Sequence, residues 1–223
     1  MSYTGDVTPG GPTDVRDEGP LVIRKASVGG FDNNVYLLTC AATGEQLLID
    51  AAADAERLTD LVAEGAGEET ASLATILTTH RHQDHTRALA ELAASTGATT
   101  VAGVDDADAL PIPMDRKVAH GDTLTVGEQS LDVIALRGHT PGAVALAWLS
   151  PSGRTHLFTG DSLFPGGPGK TNSPEDFTSL MNDMEARVFD VYDDDTWVYP
   201  GHGKDTTLGA ERPHLAEWRA RGW

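Results

Sequence analysis

Cysteine is nearly absent: the 223 residues contain one, Cys40. A single thiol excludes an internal disulfide and any zinc site built from several cysteines. It falls in "NNVYLLTC", a strand pattern, where a lone thiol reads as inert core. No run reaches the 18 or more apolar residues that a membrane-spanning helix needs. Basic side chains are also scarce. The chain has 16 Lys and Arg against 34 Asp and Glu, a net charge of −18. Phosphate backbones are held by clustered Lys and Arg, so no nucleic-acid partner is expected. The excess acid reads as a solvated surface, including "DVYDDDT" at 190–196. Residues 1–20 lack the basic start and apolar run of a leader peptide. Gly, Pro and Asp dominate them, and they are expected to form a flexible acidic tail. With one thiol and no leader pattern, a cytoplasmic location is expected.

The rest of the chain, 21–223, is expected to form one domain, since 39% hydrophobic content supports one good core but not two. "LVIRKASVG", "NNVYLLTC" and "EQLLIDAA" read as strands, the last ending near Asp50. "DAERLTDLVAEG" reads as a helix, with Asp54 as N-cap and Gly65 as its stop. "SLATILTTH" is a buried-type strand, "HTRALAELAAST" a helix and "ATTVAG" a short strand. "VDDADALPIPMDRKV" is a Pro-interrupted connection, and "DTLTVGEQSLDVIALRG" a hairpin turning at Gly127. "AVALAWLS" and "RTHLFTGD" pair through "PSG". A helix follows from Ser173, then the strand "TWVY" and a last short helix. This order predicts an α/β fold of two sheets flanked by helices.

Histidine is placed unevenly. Three of the eight fall in "HRHQDH", directly after the strand "LATIL". Side chains two apart in extended backbone point the same way, so His80 and His82 can share one ion. Asp84 and His85 fall at the helix start, where they can reach a second. Neutral imidazole and carboxylate are ligands that zinc, iron and manganese accept. His139 in "RGHTPGA", Asp161 in "FTGDSLF" and His202 in "VYPGHG" each follow a strand and sit beside glycines. His120, His156 and His214 lack that setting. They read as a turn residue, a strand residue and a helix-surface residue.

"HRHQDH", "GHTPG", "FTGDSLF" and "YPGHG", with "LLID" ahead of them, resemble the metallo-β-lactamase fold hydrolases. The wording "GHTPG" plus "GDSLFPGGPGKT" is most similar to the glyoxalase II-like, or hydroxyacylglutathione hydrolase-like, branch. The resemblance implies an αββα sandwich of two mixed sheets. It implies two divalent ions, zinc in the first instance and iron or manganese otherwise. His80, His82 and His139 would hold one. Asp84, His85 and His202 would hold the other, with Asp161 between them and a hydroxide shared by both. Asp50 would orient ligands from behind. Asp84 would also orient the nucleophile. The implied reaction is hydrolysis of a thioester of a small thiol, whose thiolate departs without a proton because its pKa is near 8.5.

Two departures from the full-length branch are expected to matter. The chain ends soon after His202, so the separate C-terminal helical domain is expected to be lacking. After Lys170 it reads "TNSPEDF", without the aromatics the branch places there. Lys170 still matches a position that can contact a thiol's carboxylate. Phe164, the loop from it to Lys170, and "LPIPM" are expected pocket walls. A mononuclear-iron persulfide dioxygenase, using His80, His139 and Asp161, or a lactonase would share these motifs.

Overall fold

The computed structural model of the chain describes residues 3–68 and 70–222. One sheet has seven strands in sequence order: β1 (Asp14–Asp17), β2 (Leu21–Val28), β3 (Asn33–Cys40), β4 (Glu45–Ile49), β5 (Ser72–Thr78), β6 (Thr99–Gly103) and β7 (Arg116–Val118). The second contains β8 (Thr123–Val126), β9 (Gln129–Ala135), β10 (Val144–Leu149) and β11 (Thr155–Gly160). It continues through β14 (Trp197–Pro200) to β15 (Thr206–Thr207), in the order β15-β14-β11-β10-β9-β8. The short pair β12 (Leu163–Phe164) and β13 (Gly167–Pro168) stands apart. Both sheets mix parallel and antiparallel pairs.

Period-two alternation builds the layers. In β3, Tyr36, Leu38 and Cys40 enter the core between the sheets, while Val35 and Leu37 face outward. In β10, Val144, Leu146 and Trp148 face that core from the other side. The outer face of the first sheet is covered by α1 (Ala55–Ala66), through Leu58, Leu61 and Val62, and by α2 (Leu89–Thr96), through Leu89 and Leu92. The outer face of the second is covered by Leu180, Met181 and Met184 of α3 (Pro174–Met184). Leu208 of α4 (Leu208–Glu211) and Trp218 of α5 (Leu215–Arg221) complete that layer. This is the expected αββα sandwich. No helix among the described residues is long and apolar enough to cross a membrane.

The acidic segment 1–20 differs from expectation. Within its described part, β1 pairs antiparallel with β2 from Asp14–Lys25 to Asp17–Val22. Tyr3 donates to Asp205 (2.7 Å) and packs edge-on against Trp197. The Arg16 guanidinium lies 4.2 Å from the Tyr3 ring centre and 3.9 Å from that of Trp197. Lys25, fully buried, ties Gly5 O, Gly203 O and the Asp205 carboxylate together. The segment has little aliphatic surface, so composition reads it as free. Aromatic stacking and one buried ion pair hold it instead.

Helix limits also moved. Asp54 sits at the N-cap of α1 without a side-chain cap bond, its carboxylate accepting from Gly29 N. The stop is Gly67, at φ 62°, not Gly65. Gly65 lies inside the helix, and a Cβ there would stand 2.4 Å from Gln46 Nε2, so close packing and not a helix stop accounts for the glycine. The helix expected from His85 starts at Leu89, since Arg87 N and Ala88 N donate to Ala52 and Ala51 carbonyls instead. Ser173 does cap α3, accepting from Asp176 N. The connection at 104–118 hides an extra strand, β7, parallel to β6.

Candidate metal centre

Strand ends at one edge of the two sheets carry the polar cluster. Asp50 ends β4 in the left-handed region, at φ 62°. Its carboxylate accepts from Thr79 N (2.7 Å) and Thr79 Oγ1 (2.8 Å), and lies 2.8 Å from His85 Nδ1. One acid thus fixes both the exit of β5 and the 3₁₀ turn over Gln83–His85. The Thr79 hydroxyl proton is committed to Asp50, so Thr79 Oγ1 accepts from His80 Nδ1 at 3.0 Å. That leaves His80 Nε2 facing inward.

Beyond β9, His139 stands between two glycines. A Cβ on Gly138 would meet Asp176 O at 2.3 Å, and one on Gly142 would meet Asp106 N at 2.2 Å. His139 Nδ1 donates to the Lys170 carbonyl (2.6 Å), leaving Nε2 as its free nitrogen. After β14, His202 Nδ1 donates to the Phe31 carbonyl (2.7 Å), again freeing Nε2. Each imidazole is held through its second nitrogen, as metal-ligating histidines are.

These free atoms converge. Ligand atoms of His80, His82 and His139 lie within 4.8 Å of one another, as do those of Asp84, His85 and His202, and those of His80, His85 and Asp161. His82 Nδ1 is 2.9 Å from His139 Nε2, and His85 Nε2 is 3.1 Å from His202 Nε2. Asp161 touches both groups: Oδ1 is 3.4 Å from His85 Nε2, and Oδ2 is 3.5 Å from His139 Nε2 and 3.4 Å from His202 Nε2. All seven expected residues are therefore in one cluster. Arg81 and Gln83, between them in sequence, are exposed and turned away.

The cluster draws positive charge. Burial disfavours the Asp161 carboxylate, yet the neighbouring His202 and His85 imidazoles hold its pKa well below the usual range. Burial opposes charge on His85, but Asp50 and Asp161 push it up to about 10. His202 is raised against its burial, chiefly by Asp161. His80 moves the other way, held far down by burial and by His85. Two buried atoms, His80 Nε2 and Asp161 Oδ1, have no hydrogen-bond partner. Orphaned buried atoms of this kind need an explanation, and a cation between them supplies it. Imidazole nitrogen plus carboxylate oxygen suits zinc, iron or manganese.

A family model described as the metallo-beta-lactamase superfamily matches residues 28–202. The chain belongs to the metallo-beta-lactamase superfamily. Among curated relatives, a hydroxyacylglutathione hydrolase of Fuscovulum blasticum is 40% identical over 139 residues, 62% of this chain and 51% of that one. The chain spans about half the length of such relatives. Among solved structures, ETHE1 from Myxococcus xanthus is similar at 28% identity and TM-score 0.72, over 86% of this chain and 82% of that one. A protein solved in a di-iron-bound form is similar at 29% identity and TM-score 0.67, over 83% and 95%. The superfamily fold and a His/Asp cluster able to hold metal are thus both present in this chain.

Pro168, Gly169, Lys170, Thr171, Phe177, Arg221 and Gly222 line a cavity of about 410 Å³. One lining residue, Gly169, packs behind the centre: a Cβ there would lie 3.3 Å from His139 Nδ1, the nitrogen held by the Lys170 carbonyl. Phe164 is half-buried, its ring 6.3 Å from that of His202. "LPIPM" is partly structural: Ile112 and Met114 pack against the outer core of the first sheet. His156 is fully buried, its Nδ1 2.8 Å from the Tyr199 hydroxyl, while His120 and His214 are exposed.

Several contributors were not read from sequence. Asn33 Nδ2 donates to Asp84 Oδ2 (2.9 Å), and the Phe31 and Lys170 carbonyls hold two histidines. Carbonyl partners leave no side-chain signal. Asn33 had one: "NN" opening an otherwise apolar strand.

Proposed function

We propose that the chain is a dinuclear metal-dependent hydrolase acting on a thioester of a small anionic thiol. His80, His82 and His139 would hold one divalent ion, and Asp84, His85 and His202 the other, with zinc the expected metal. The observation that carries this reading is Asp161, whose two oxygens reach histidines of both groups. When bound, such a pair lowers the pKa of a water and polarises the scissile carbonyl.

The chain's own residues do the rest. Asn33 fixes Asp84, which accepts a hydrogen bond from the attacking water and turns it towards the carbonyl carbon. Asp50 keeps His85 and the β5 exit in register. A departing thiolate needs no proton at neutral pH, so no acid is required on the leaving side. Lys170 and Arg221 line the adjoining cavity and would receive the thiol's carboxylate, with Phe177 against its apolar part. Phe164, beside His202, would flank the acyl group. Cys40 lies buried in β3 and takes no part, and that single buried thiol supports action in the cytoplasm.

Metal analysis of the purified protein, paired with a panel of thioesters, lactones and β-lactams, tests the proposal. Two ions with thioester turnover are expected. A single iron with sulfite release from a persulfide would replace it with the dioxygenase reading, through His80, His139 and Asp161. The likeness to ETHE1 is consistent with that second reading.

A further inference from the structure

We propose that Asp106 is a positioning residue that sets the geometry of the three-histidine half of the centre. Its side chain is fully buried at the start of a 3₁₀ turn after β6. The carboxylate gathers donors from two loops. Arg81 N donates at 3.0 Å, with the Arg81 guanidinium 3.6 Å away. Thr140 Oγ1 donates at 2.5 Å, and Gly142 N at 3.0 Å. Arg81 lies between His80 and His82, and Thr140 and Gly142 follow His139. One carboxylate therefore joins the backbone bearing two ligands to the backbone bearing the third.

The seat of Asp106 is itself fixed. Its N–H donates to Gly103 O (3.1 Å), and its carbonyl accepts from Ala109 N (2.9 Å). A Cβ on Gly142 would stand 2.2 Å from Asp106 N, and one on Gly103 would stand 2.0 Å from Gly142 O. Both glycines let the loops close on it. Asp50 holds the other half directly through His85, and it also reaches His80 through Thr79.

A carboxylate suits this place because it only accepts. An amide turns an NH₂ towards one of the donors and leaves that donor unpaired. Loss of a group that orients ligands from behind typically weakens metal binding by about 10–100-fold.

This inference rests on the two-ion reading above, and the test separates the two. Zn²⁺ and Co²⁺ are titrated against a chelator into metal-stripped wild type, Asp106→Asn, Asp50→Asn, Thr140→Val and Thr140→Ser, with Co²⁺ absorption reporting each ion. Melting of the stripped proteins is recorded alongside. In Asp106→Asn one ion should weaken by about 10–100-fold and the other by less than about threefold. Asp50→Asn, which touches His85 directly and His80 only through Thr79, should weaken the other ion more than the first. Thr140→Val should follow Asp106→Asn in smaller degree, and Thr140→Ser should match wild type. Folded Asp106→Asn that binds both ions as wild type does, or loses both equally, overturns the proposal even if its melting point falls. Should Asp106→Asn not fold, Thr140→Val decides by the same criteria. Wild type taking up one ion defeats the two-ion reading, and Asp106 is then judged on whether that ion weakens.

Discussion

Gly201 offers a sharp test of how tightly the centre is built. It precedes His202, and its φ is not in the left-handed region, so alanine suits the backbone. The space does not allow it. A Cβ there would lie 2.1 Å from Asp161 Oδ1 and 2.9 Å from His85 Cε1. Real Cβ contacts begin near 3.0 Å, so Asp161 must retreat by about an ångström. Overpacking of this kind costs about 1–3 kcal/mol of stability, which a domain of this size survives. The site is less tolerant. A displacement of about 1 Å costs on the order of 100-fold in rate, and Asp161 contacts both groups of histidines. Gly201→Ala should therefore fold, melt a few degrees lower, bind less metal and turn over at roughly one hundredth of the normal rate. Circular dichroism, elemental analysis and steady-state kinetics read the three effects. A folded variant with full metal content and near-normal kcat would show that Asp161 does not hold the centre together.

Asp161→Ala should lose one ion and lower turnover by orders of magnitude, and elemental analysis showing two ions would refute the bridging role. Lys170→Ala should raise KM for an anionic thioester and leave a neutral one nearly unchanged; an equal rise for both removes Lys170 from substrate binding. Chelation should lower the melting point, since free metal at 100 times its Kd adds about 2.7 kcal/mol, or roughly 5–10 °C for a chain of this length. His156 predicts an acid limb: burial, then Arg16 and Arg154, hold its pKa down at about 3 from 6.5. Glu18 is 3.5 Å from its Nε2, too far for a hydrogen bond to rescue the proton. The unfolded chain therefore binds a proton that the folded chain refuses. Stability is full above pH 6.5 and falls towards pH 3, by up to about 1.4 kcal/mol per unit. His156→Gln should flatten that limb in melting curves; an unchanged limb assigns acid loss to other groups.

The metal cluster was legible because its residues lie in short motifs at strand exits, and alternation placed those exits at one edge. "HRHQDH" is local, and "GHTPG" carries glycines whose absent Cβ atoms are structural demands at Gly138 and Gly142. What stayed hidden depends on chain segments far apart in sequence. Phe31 holds His202 through its carbonyl, and Asp106 holds Arg81 and Thr140 through a fold no window of sequence contains. The tail misled for a related reason. Its few anchors, Tyr3 and Arg16, act on Trp197 and Asp205, nearly two hundred residues on. β7 escaped notice because three residues beside two prolines carry no period.

The charge of −18 and the proposed anionic substrate look opposed, and distance resolves the conflict. Most acids lie on the surface, where physiological salt screens them beyond about 8 Å. The cavity beside His139 is different. Lys170 and Arg221 both line it, and among the described residues neither is ion-paired, whereas nearby Arg137, Arg187, Arg212 and Arg219 all are. Two divalent ions would bring four charges against the two carboxylates, Asp84 and Asp161, that face them. On the proposed reading, an anion at this mouth would meet the two exposed cations, Lys170 and Arg221, first. Local charge outweighs the global sum there. The acidic surface then acts as a solubility device, and on the proposed reading the selection of substrate charge would belong to a few residues around Lys170.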